Sequence, residues 1–377
     1  SFFIIFKFSE NFFQNPIHSL LSILLLEGFY FYNFTTPELN AFLCQFPFLA
    51  GTVFYCWQAI KNNNNSSWLL LGIFSGLATL TYYLSLYLLA SIFFYFTYNI
   101  IKYKKFNYKY LISLVSFFIV ITPHLIWIAD NNYTSINYAL FRSFGDPLTR
   151  MQGSQFLNHI YYPLQFLIKQ MVIFFPFFIM LFFLVTKVKV KINYKDKKLI
   201  FLFSIAILPL ILMFFTSLVS GIRIRTMWLT TFYLFIGVFF IYLYSIKIDL
   251  KKLKAFLSLF LFLFIFSPTL YYFISDFKKN KRTDYPGNEI AKAVQSQWNK
   301  NFSNEIDIIL GEGWLNGVWY GGNLSYHLKS RPKLKMELIR NPNLGTVWVA
   351  GFGEINDCDG LMYQIKPFND ICMFGKK

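Results

Sequence analysis

The stretch LISLVSFFIVITPHLIWIA, residues 111–129, runs without a single Lys, Arg, Asp or Glu. A helix rises about 1.5 Å per residue, so this stretch spans roughly 28 Å, close to the ~30 Å hydrocarbon core of a bilayer. It is too long for one buried strand and too evenly apolar for a helix with one face in water. Lys102, Lys104, Lys105 and Lys109 precede it and Asp130 closes it. Residues 111–129 therefore read as a transmembrane helix.

Working outward, further apolar runs fall near 16–32, 41–60, 67–80, 83–100, 164–186, 199–216, 227–245 and 255–275. The run at 67–80 is short and is closed by the break Thr81-Tyr82-Tyr83. The chain has 377 residues, 56% hydrophobic and 14% charged, which leaves too little polar surface to clothe a soluble domain. The expected fold class is an all-α polytopic membrane protein with about nine transmembrane helices. Its 49 Phe, among many Ile, Lys and Asn, reflect AT-rich codon usage rather than a base-stacking surface.

The net charge of +17 invites a nucleic-acid partner, but the positions of the charges argue against one. Lys102, Lys104, Lys105 and Lys109 share one short loop. Lys187, Lys189, Lys191, Lys195, Lys197 and Lys198 fill a second, and Lys247, Lys251, Lys252 and Lys254 a third. Lysines in short loops beside spans set orientation by the positive-inside rule. Nine spans put these three loops, with Lys61, on the cytoplasmic face. The external face then receives 33–40, 81–83, 130–163, 217–226 and the tail after 275. Lys278, Lys279, Lys281 and Arg282 dissent, and three loops outweigh them. The partners implied are membrane lipids, with no nucleic acid.

Residues 276–377 read as a small α/β domain. YPGNEIAKAVQSQWNKNF has helical periodicity with Pro286 near its start. EIDIIL and TVWVAG are short β-type runs, and LMYQIKPF and DICMF pair as a closing hairpin. GEG after the first of these reads as a tight turn rather than a phosphate loop. Cys44 and Cys56 fall in a span and read as core thiols. Cys358 and Cys372 lie in the external tail, an oxidising compartment, and are a disulfide candidate. No metal site is expected, because the four His are scattered and no carboxylate pair has ligand spacing.

The polar residues of note gather on the external face: Glu38, Asn40, Tyr82, Tyr83, His124, Asp130, and Arg223 and Arg225 in SGIRIRTMW. The middles of the spans carry almost no ionisable residue, which argues against a proton-coupled transporter. Two Arg one residue apart can fork onto phosphate oxygens, or can snorkel to lipid headgroups. Glu38 can assist deprotonation of an acceptor, or can stabilise the start of the next helix. His124 can touch substrate or bond within the bundle, and Tyr82 and Tyr83 can line a site or form an interfacial belt. Glu27, closer to the bilayer, is expected to make a structural pairing.

EGFYFYNFTTPELNA, GIFSGLATLTYYLSLYLLA, TPHLIWIADNNYTSINYAL, SGIRIRTMW, RTDYPGNEIAKAVQSQW and GNLSYHLKSRP together resemble bacterial family 39 glycosyltransferases of the GT-C fold. That group includes dolichyl-phosphate-mannose protein mannosyltransferases and lipid A aminoarabinose transferases. The resemblance implies a GT-C-like helical domain over 1–275 and a small periplasmic domain over 276–377. It implies sugar transfer, hexosyl or pentosyl, from a polyprenyl-phosphate donor to a glycan, lipid or protein acceptor at the periplasmic face of the bacterial inner membrane. A divalent cation is left open. The family's catalytic Asp lies in its first external loop, expected upstream of Ser1, since the chain lacks an initiator Met and reads as starting inside a helix. On that expectation the chain alone is inactive. Glu38 stands at the family's second acidic position, where Asp is more usual. Tyr82 stands where the family often carries a Lys that meets the donor phosphate, which leaves Arg223 and Arg225 as phosphate partners. Two other readings stand beside this one: a lipid-linked sugar flippase or transporter, favoured by repeat symmetry, and an O-antigen ligase-like enzyme, favoured if Arg and His of loop 130–163 are essential.

Overall fold

A computed structural model describes the chain apart from residues 36–38, 145–154, 186–192, 194, 245–249, 278–280, 282–283, 312–316, 336–343, 350–360 and 365–369. It divides into two compact units, Ser1–Ser275 and Asp276–Lys377.

The first unit is helical. Helix Phe2–Ser9 is followed by Pro16–Leu24, which tightens into a 3-10 turn at Leu25–Gly28. Then come Ala41–Asn62, Asn65–Thr81, Ser85–Tyr103, Tyr110–Asp130, Thr134–Phe144 and Gln155–Leu184. Lys197–Ala206 and Leu208–Ser220 follow, then a 3-10 helix Thr226–Phe235 that runs into Ile236–Tyr244, and last Leu250–Phe277. The boundaries have local causes. Asn15, Asn64 and Asp196 each accept a first-turn backbone N–H at the start of a helix. Asn63 and Lys104 take left-handed backbone and end the helices before them.

Each expected apolar run falls on helical backbone, but not all in the form expected. Tyr110–Asp130, the helix over Gln155–Leu184, Thr226–Tyr244 and the helix over Leu250–Phe277 are long and apolar enough to cross a membrane. Lys197–Ala206 and Leu208–Ser220 make a fifth only as a pair bent by 45°. Pro209, near the start of the second member, cannot donate the backbone bond that would carry the helix straight through. The expected run 16–32 is a correction: its helical part is the short Pro16–Gly28, after which the chain turns. Helix Asn65–Thr81 is short, and Ala41–Asn62 and Ser85–Tyr103 carry Gln45, Gln58, Tyr98 and Asn99, which dilute their apolar character. The chain is a multi-pass helical membrane protein, with four or five spans defined by length and composition among the described residues.

Helix Asn65–Thr81 packs against both Ala41–Asn62 and Tyr110–Asp130. A Cβ on Gly72 would lie 2.2 Å from the Ser113 carbonyl oxygen, so only glycine lets these backbones meet. The aromatic core lies between the first turns and the later helices. Phe29 stacks on Tyr233 at 4.7 Å and on Phe177 at 4.9 Å. The loops sort to two ends. At one, Lys61 Nζ donates to Asn11 Oδ1 (2.9 Å), Lys198 Nζ donates to the Asn11 carbonyl (2.7 Å), and Asn107 Nδ2 donates to Asn63 Oδ1 (2.8 Å). At the other, the Tyr32 hydroxyl donates to the Thr230 carbonyl and the Tyr87 hydroxyl to Thr216 Oγ1 (3.0 Å). Lys-rich loops thus meet one another, and aromatic and Thr-rich turns meet opposite them.

The second unit is a five-stranded sheet in the order β2-β1-β3-β5-β4. The strands are β1 Ile308–Gly311, β2 Lys333–Lys335, β3 Thr346–Val349, β4 Leu361–Gln364 and β5 Asp370–Phe374. β1 pairs in parallel with β2 and β3, while β5 runs antiparallel to β3 and β4. Helices Gly287–Asn301 and Val318–His327 cover it with Ile290, Val294, Trp298 and Leu324. The expected strands and closing hairpin lie where EIDIIL, TVWVAG, LMYQ and DICMF place them; β2 was not legible. Most of GEG lies outside the described residues. Burial pushes the Tyr285 phenol up to about 12, and Tyr320 beside it adds to the shift.

Candidate functional site

The residues singled out in the sequence fall on three short segments at the end of the helical unit opposite the Lys-rich loops. Glu38 lies outside the described residues. Asn40 begins helix Ala41–Asn62, and its Oδ1 accepts from the N–H of Phe42 (3.0 Å) and Leu43 (3.2 Å). Its side chain is thus a helix cap, although the residue is exposed. No acidic residue occupies the first turn of that helix.

The second segment is the turn Tyr82-Tyr83-Leu84. The side chain of Gln45, buried within Ala41–Asn62, donates to the carbonyls of Ala78 (3.0 Å) and Tyr82 (2.8 Å). Those carbonyls lie at the end of helix Asn65–Thr81, where the Ala78 carbonyl also accepts from the Tyr82 N–H (3.1 Å). Gln45 thereby fixes the turn, and the Tyr82 ring lies edge-on to Phe42 at 4.8 Å. The next side chain reaches across: Tyr83 Oη is 2.6 Å from His124 Nε2, and His124 stacks on Trp127 at 5.7 Å. Both partners are half-buried. The bond can carry a proton either way, since imidazole nitrogen and phenol can each donate or accept.

The third segment, Gly221–Arg225, starts from left-handed backbone at Gly221, is extended by Arg225 and leads into the 3-10 helix Thr226–Phe235. Ile222 and Ile224 are buried in the core, while Arg223 is exposed and Arg225 half-buried. This alternation is the period of extended backbone, and it turns both guanidinium groups to the same side. Gly221 takes φ +65° and lets helix Leu208–Ser220 turn into the segment. Arg223 has no hydrogen bond or ion pair among the described residues.

The structure brings Tyr83 and His124 into contact and ties the Asn40-capped helix to Tyr82. It shows no direct bond from Arg223 to the Tyr83–His124 pair among the described residues. Cys372 is disulfide-bonded, Cys44 and Cys56 are free, and Cys358 lies outside the described residues. Among the described residues no three His, Cys, Asp or Glu are placed to hold a metal ion.

Glu27 makes no ion pair among the described residues, and its Oε1 is buried without a hydrogen-bond partner there. Its neighbour is Asn33, which hydrogen-bonds the Glu27 side chain and whose Nδ2 donates to the Glu27 backbone carbonyl at 2.6 Å. The close approach that buries it comes from Gly28, whose Cβ would lie 2.5 Å from the Phe177 Cα. The residue that sequence reasoning missed is Gln45. Its signal was present as an amide in the apolar run Ala41–Tyr55, where a polar side chain needs a partner.

Fold and site together define a multi-pass helical membrane protein whose Arg pair, His and Tyr side chains lie at the end of the helical unit opposite Lys61, Lys109 and Lys198. Residues 1–127 match the family model of dolichyl-phosphate-mannose-protein mannosyltransferase, which is of the GT-C glycosyltransferase type. The resemblance read from the sequence therefore holds over that stretch. Members of this family are in general membrane glycosyltransferases that use polyprenyl-phosphate sugar donors. No curated protein and no solved structure matches the chain.

Proposed function

We propose that the protein moves a sugar from a polyprenyl-phosphate donor to a glycan, lipid or protein acceptor at the periplasmic face of a bacterial inner membrane. The observation that carries this reading is the family match over 1–127, which includes Glu38, Asn40, Tyr82, Tyr83 and His124. The acceptor oxygen or nitrogen attacks the sugar's anomeric carbon as the bond from that carbon to the phosphate oxygen breaks. The electron pair leaves with the phosphate, whose growing charge is held by Arg223 and Arg225, side chains already turned to one side by the backbone. The acceptor's proton passes to a carboxylate. On this chain the acidic group is Glu38, beside the Asp that the family carries in its first external loop. Tyr83 and His124 flank the site as a bonded pair, with Tyr82 beside them, and Asn40 sets the start of the helix that follows Glu38. The second unit, 276–377, is the extracytoplasmic domain.

The test uses membranes from cells expressing the gene at full length. They are incubated with a panel of radiolabelled polyprenyl-phosphate sugars, and label is followed into water-soluble, lipid and protein fractions. Loss of transfer in both Arg223→Ala and Glu38→Gln, with wild type active, supports the roles given. If no donor releases its sugar while the purified protein still binds or flips the lipid, the transferase reading is wrong.

A further inference from the structure

Helices Ser85–Tyr103 and Tyr110–Asp130 follow one another in the chain, yet they splay apart. They meet chiefly where Phe96 stacks on Tyr110 at 4.8 Å. Helix Asn65–Thr81 forms the floor of the gap with Leu71, Gly72 and Ser75. The result is an apolar cavity of about 510 Å³, walled by Leu89, Phe93 and Leu114 among others. Along Ser85–Tyr103 the lining runs from Leu86 to Ile100. At about 1.5 Å per residue that is roughly 21 Å, more than the ~15 Å of one leaflet's share of a ~30 Å hydrocarbon core. Phe93 and Leu114 are exposed, so the groove opens sideways. In a bilayer, that side is lipid.

The loop at the groove's Tyr110 end is the Lys-rich loop 104–109. Lys104 and Lys105 are exposed and have no hydrogen-bond or ion-pair partner among the described residues. Lys102 Nζ donates to the Tyr98 hydroxyl at 2.8 Å, which fixes it at the same rim. No Asp or Glu occurs from Leu39 to Ala129. Among the described residues the one ion pair is Lys7–Glu10, which involves none of these lysines. Three ammonium groups thus stand without an ion-pair partner among the described residues, above an apolar slot of leaflet length.

We propose that this groove holds the acyl chains of an anionic phospholipid whose phosphate sits on Lys102, Lys104 and Lys105. The proposal rests on the membrane-spanning reading of the helices and is independent of the transferase reading. An acyl chain fills a slot whose walls would otherwise lack contact atoms. The headgroup charge then decides which lipid stays, since each lysine beside an anionic lipid surface contributes on the order of a fivefold factor in binding.

The experiment takes the purified full-length protein in neutral detergent and adds phosphatidylglycerol or phosphatidylcholine with identical acyl chains. Bound lipid is counted by native mass spectrometry. Phosphatidylglycerol is expected to bind at least tenfold more tightly than phosphatidylcholine. The triple variant Lys102→Gln, Lys104→Gln, Lys105→Gln should lose that preference by tenfold to a hundredfold, while Lys251→Gln, Lys252→Gln, Lys254→Gln keeps it. Ala90→Trp, which fills the slot without touching the charges, should weaken both lipids. Equal binding of the two lipids by wild type overturns the proposal, as does a preference that survives the first triple variant or falls equally in the second. Ala90→Trp binding both lipids normally removes the groove from it. Displacement of phosphatidylglycerol by an equal concentration of polyprenyl phosphate also overturns it, because the slot would then belong to the donor.

Discussion

Replacing Gly72 by Ala puts a methyl where two helices touch. The new Cβ would lie 1.9 Å from Ser116 Oγ and 2.2 Å from the Ser113 carbonyl oxygen, against ordinary contacts of 3.4–4 Å. The Ser116 hydroxyl can rotate away; the Ser113 carbonyl, held in its helix, cannot. The helices must therefore part by about 1 Å, roughly the shortfall in van der Waals contact. That movement breaks the bond from Ser116 Oγ to the Leu69 carbonyl, now 3.1 Å. Losing it costs about 0.5–1.5 kcal/mol, and the overpacking adds about 1–3 kcal/mol. Better helix propensity returns about 1 kcal/mol, so the net destabilisation is about 0.5–3.5 kcal/mol. Gly322, inside helix Val318–His327, is the control: its Cβ would meet only Leu334 Cδ2 at 3.7 Å. Gly322→Ala should therefore stabilise by about 0.5–1 kcal/mol through propensity alone. Thermal unfolding in detergent, followed by tryptophan emission, reads both. Gly72→Ala melting at or above wild type, or both variants shifting the same way, would refute the reasoning.

Gln45→Leu keeps the volume but removes the side-chain donor that two helix-end carbonyls share; it should cost about 1–3 kcal/mol in the same melt and loosen the Tyr82–Tyr83 turn. A double-mutant cycle of Tyr83→Phe and His124→Gln should return a coupling of about 0.5–1.5 kcal/mol, and strict additivity would mean that the bond is not formed in solution. The Tyr285 phenol sits at about 12 in the fold, raised first by burial and then by Tyr320, against an ordinary 10. The unfolded chain thus releases that proton first, so the stability it contributes is intact below pH 10 and fades as pH rises towards 12. Tyr285→Phe should lose less stability than wild type between pH 8 and pH 11. Reducing the disulfide at Cys372 should lower the stability of the second unit by about 2–4 kcal/mol, and non-reducing peptide mapping is expected to recover Cys358 as its partner.

The helical class was legible because apolar runs of bilayer length leave a soluble fold no surface to use, and the lysine loops marked the connections between them. The form of four runs was not. Pro209 bends one, the polar residues of Ala41–Asn62 and Ser85–Tyr103 blur others, and Leu25–Gly28 tightens a helix that propensity alone would continue. The site was partly legible. Arg223 and Arg225 stand out by spacing, and their shared orientation follows from extended backbone. The Tyr83–His124 bond joins residues 41 apart in sequence, a pairing set by how helices Asn65–Thr81 and Tyr110–Asp130 pack, which no local pattern encodes. At Asn40 the sequence suggested a binding group, and the structure adds a second role, its side-chain oxygen accepting from the first N–H groups of the helix.

The alternation across Gly221–Arg225 constrains length more tightly than spelling. Arg223, exposed, can be exchanged for another polar residue without disturbing Ile222 and Ile224 beneath. Dropping a single codon between Gly221 and Thr226 would re-phase the segment, sending a guanidinium into the apolar core and an isoleucine out of it. In a saturation library sorted for folded protein, substitutions at 223 should persist while one-codon deletions from 221 to 225 disappear. A counting rule protects the phase of the whole segment, whatever contacts each side chain makes by itself.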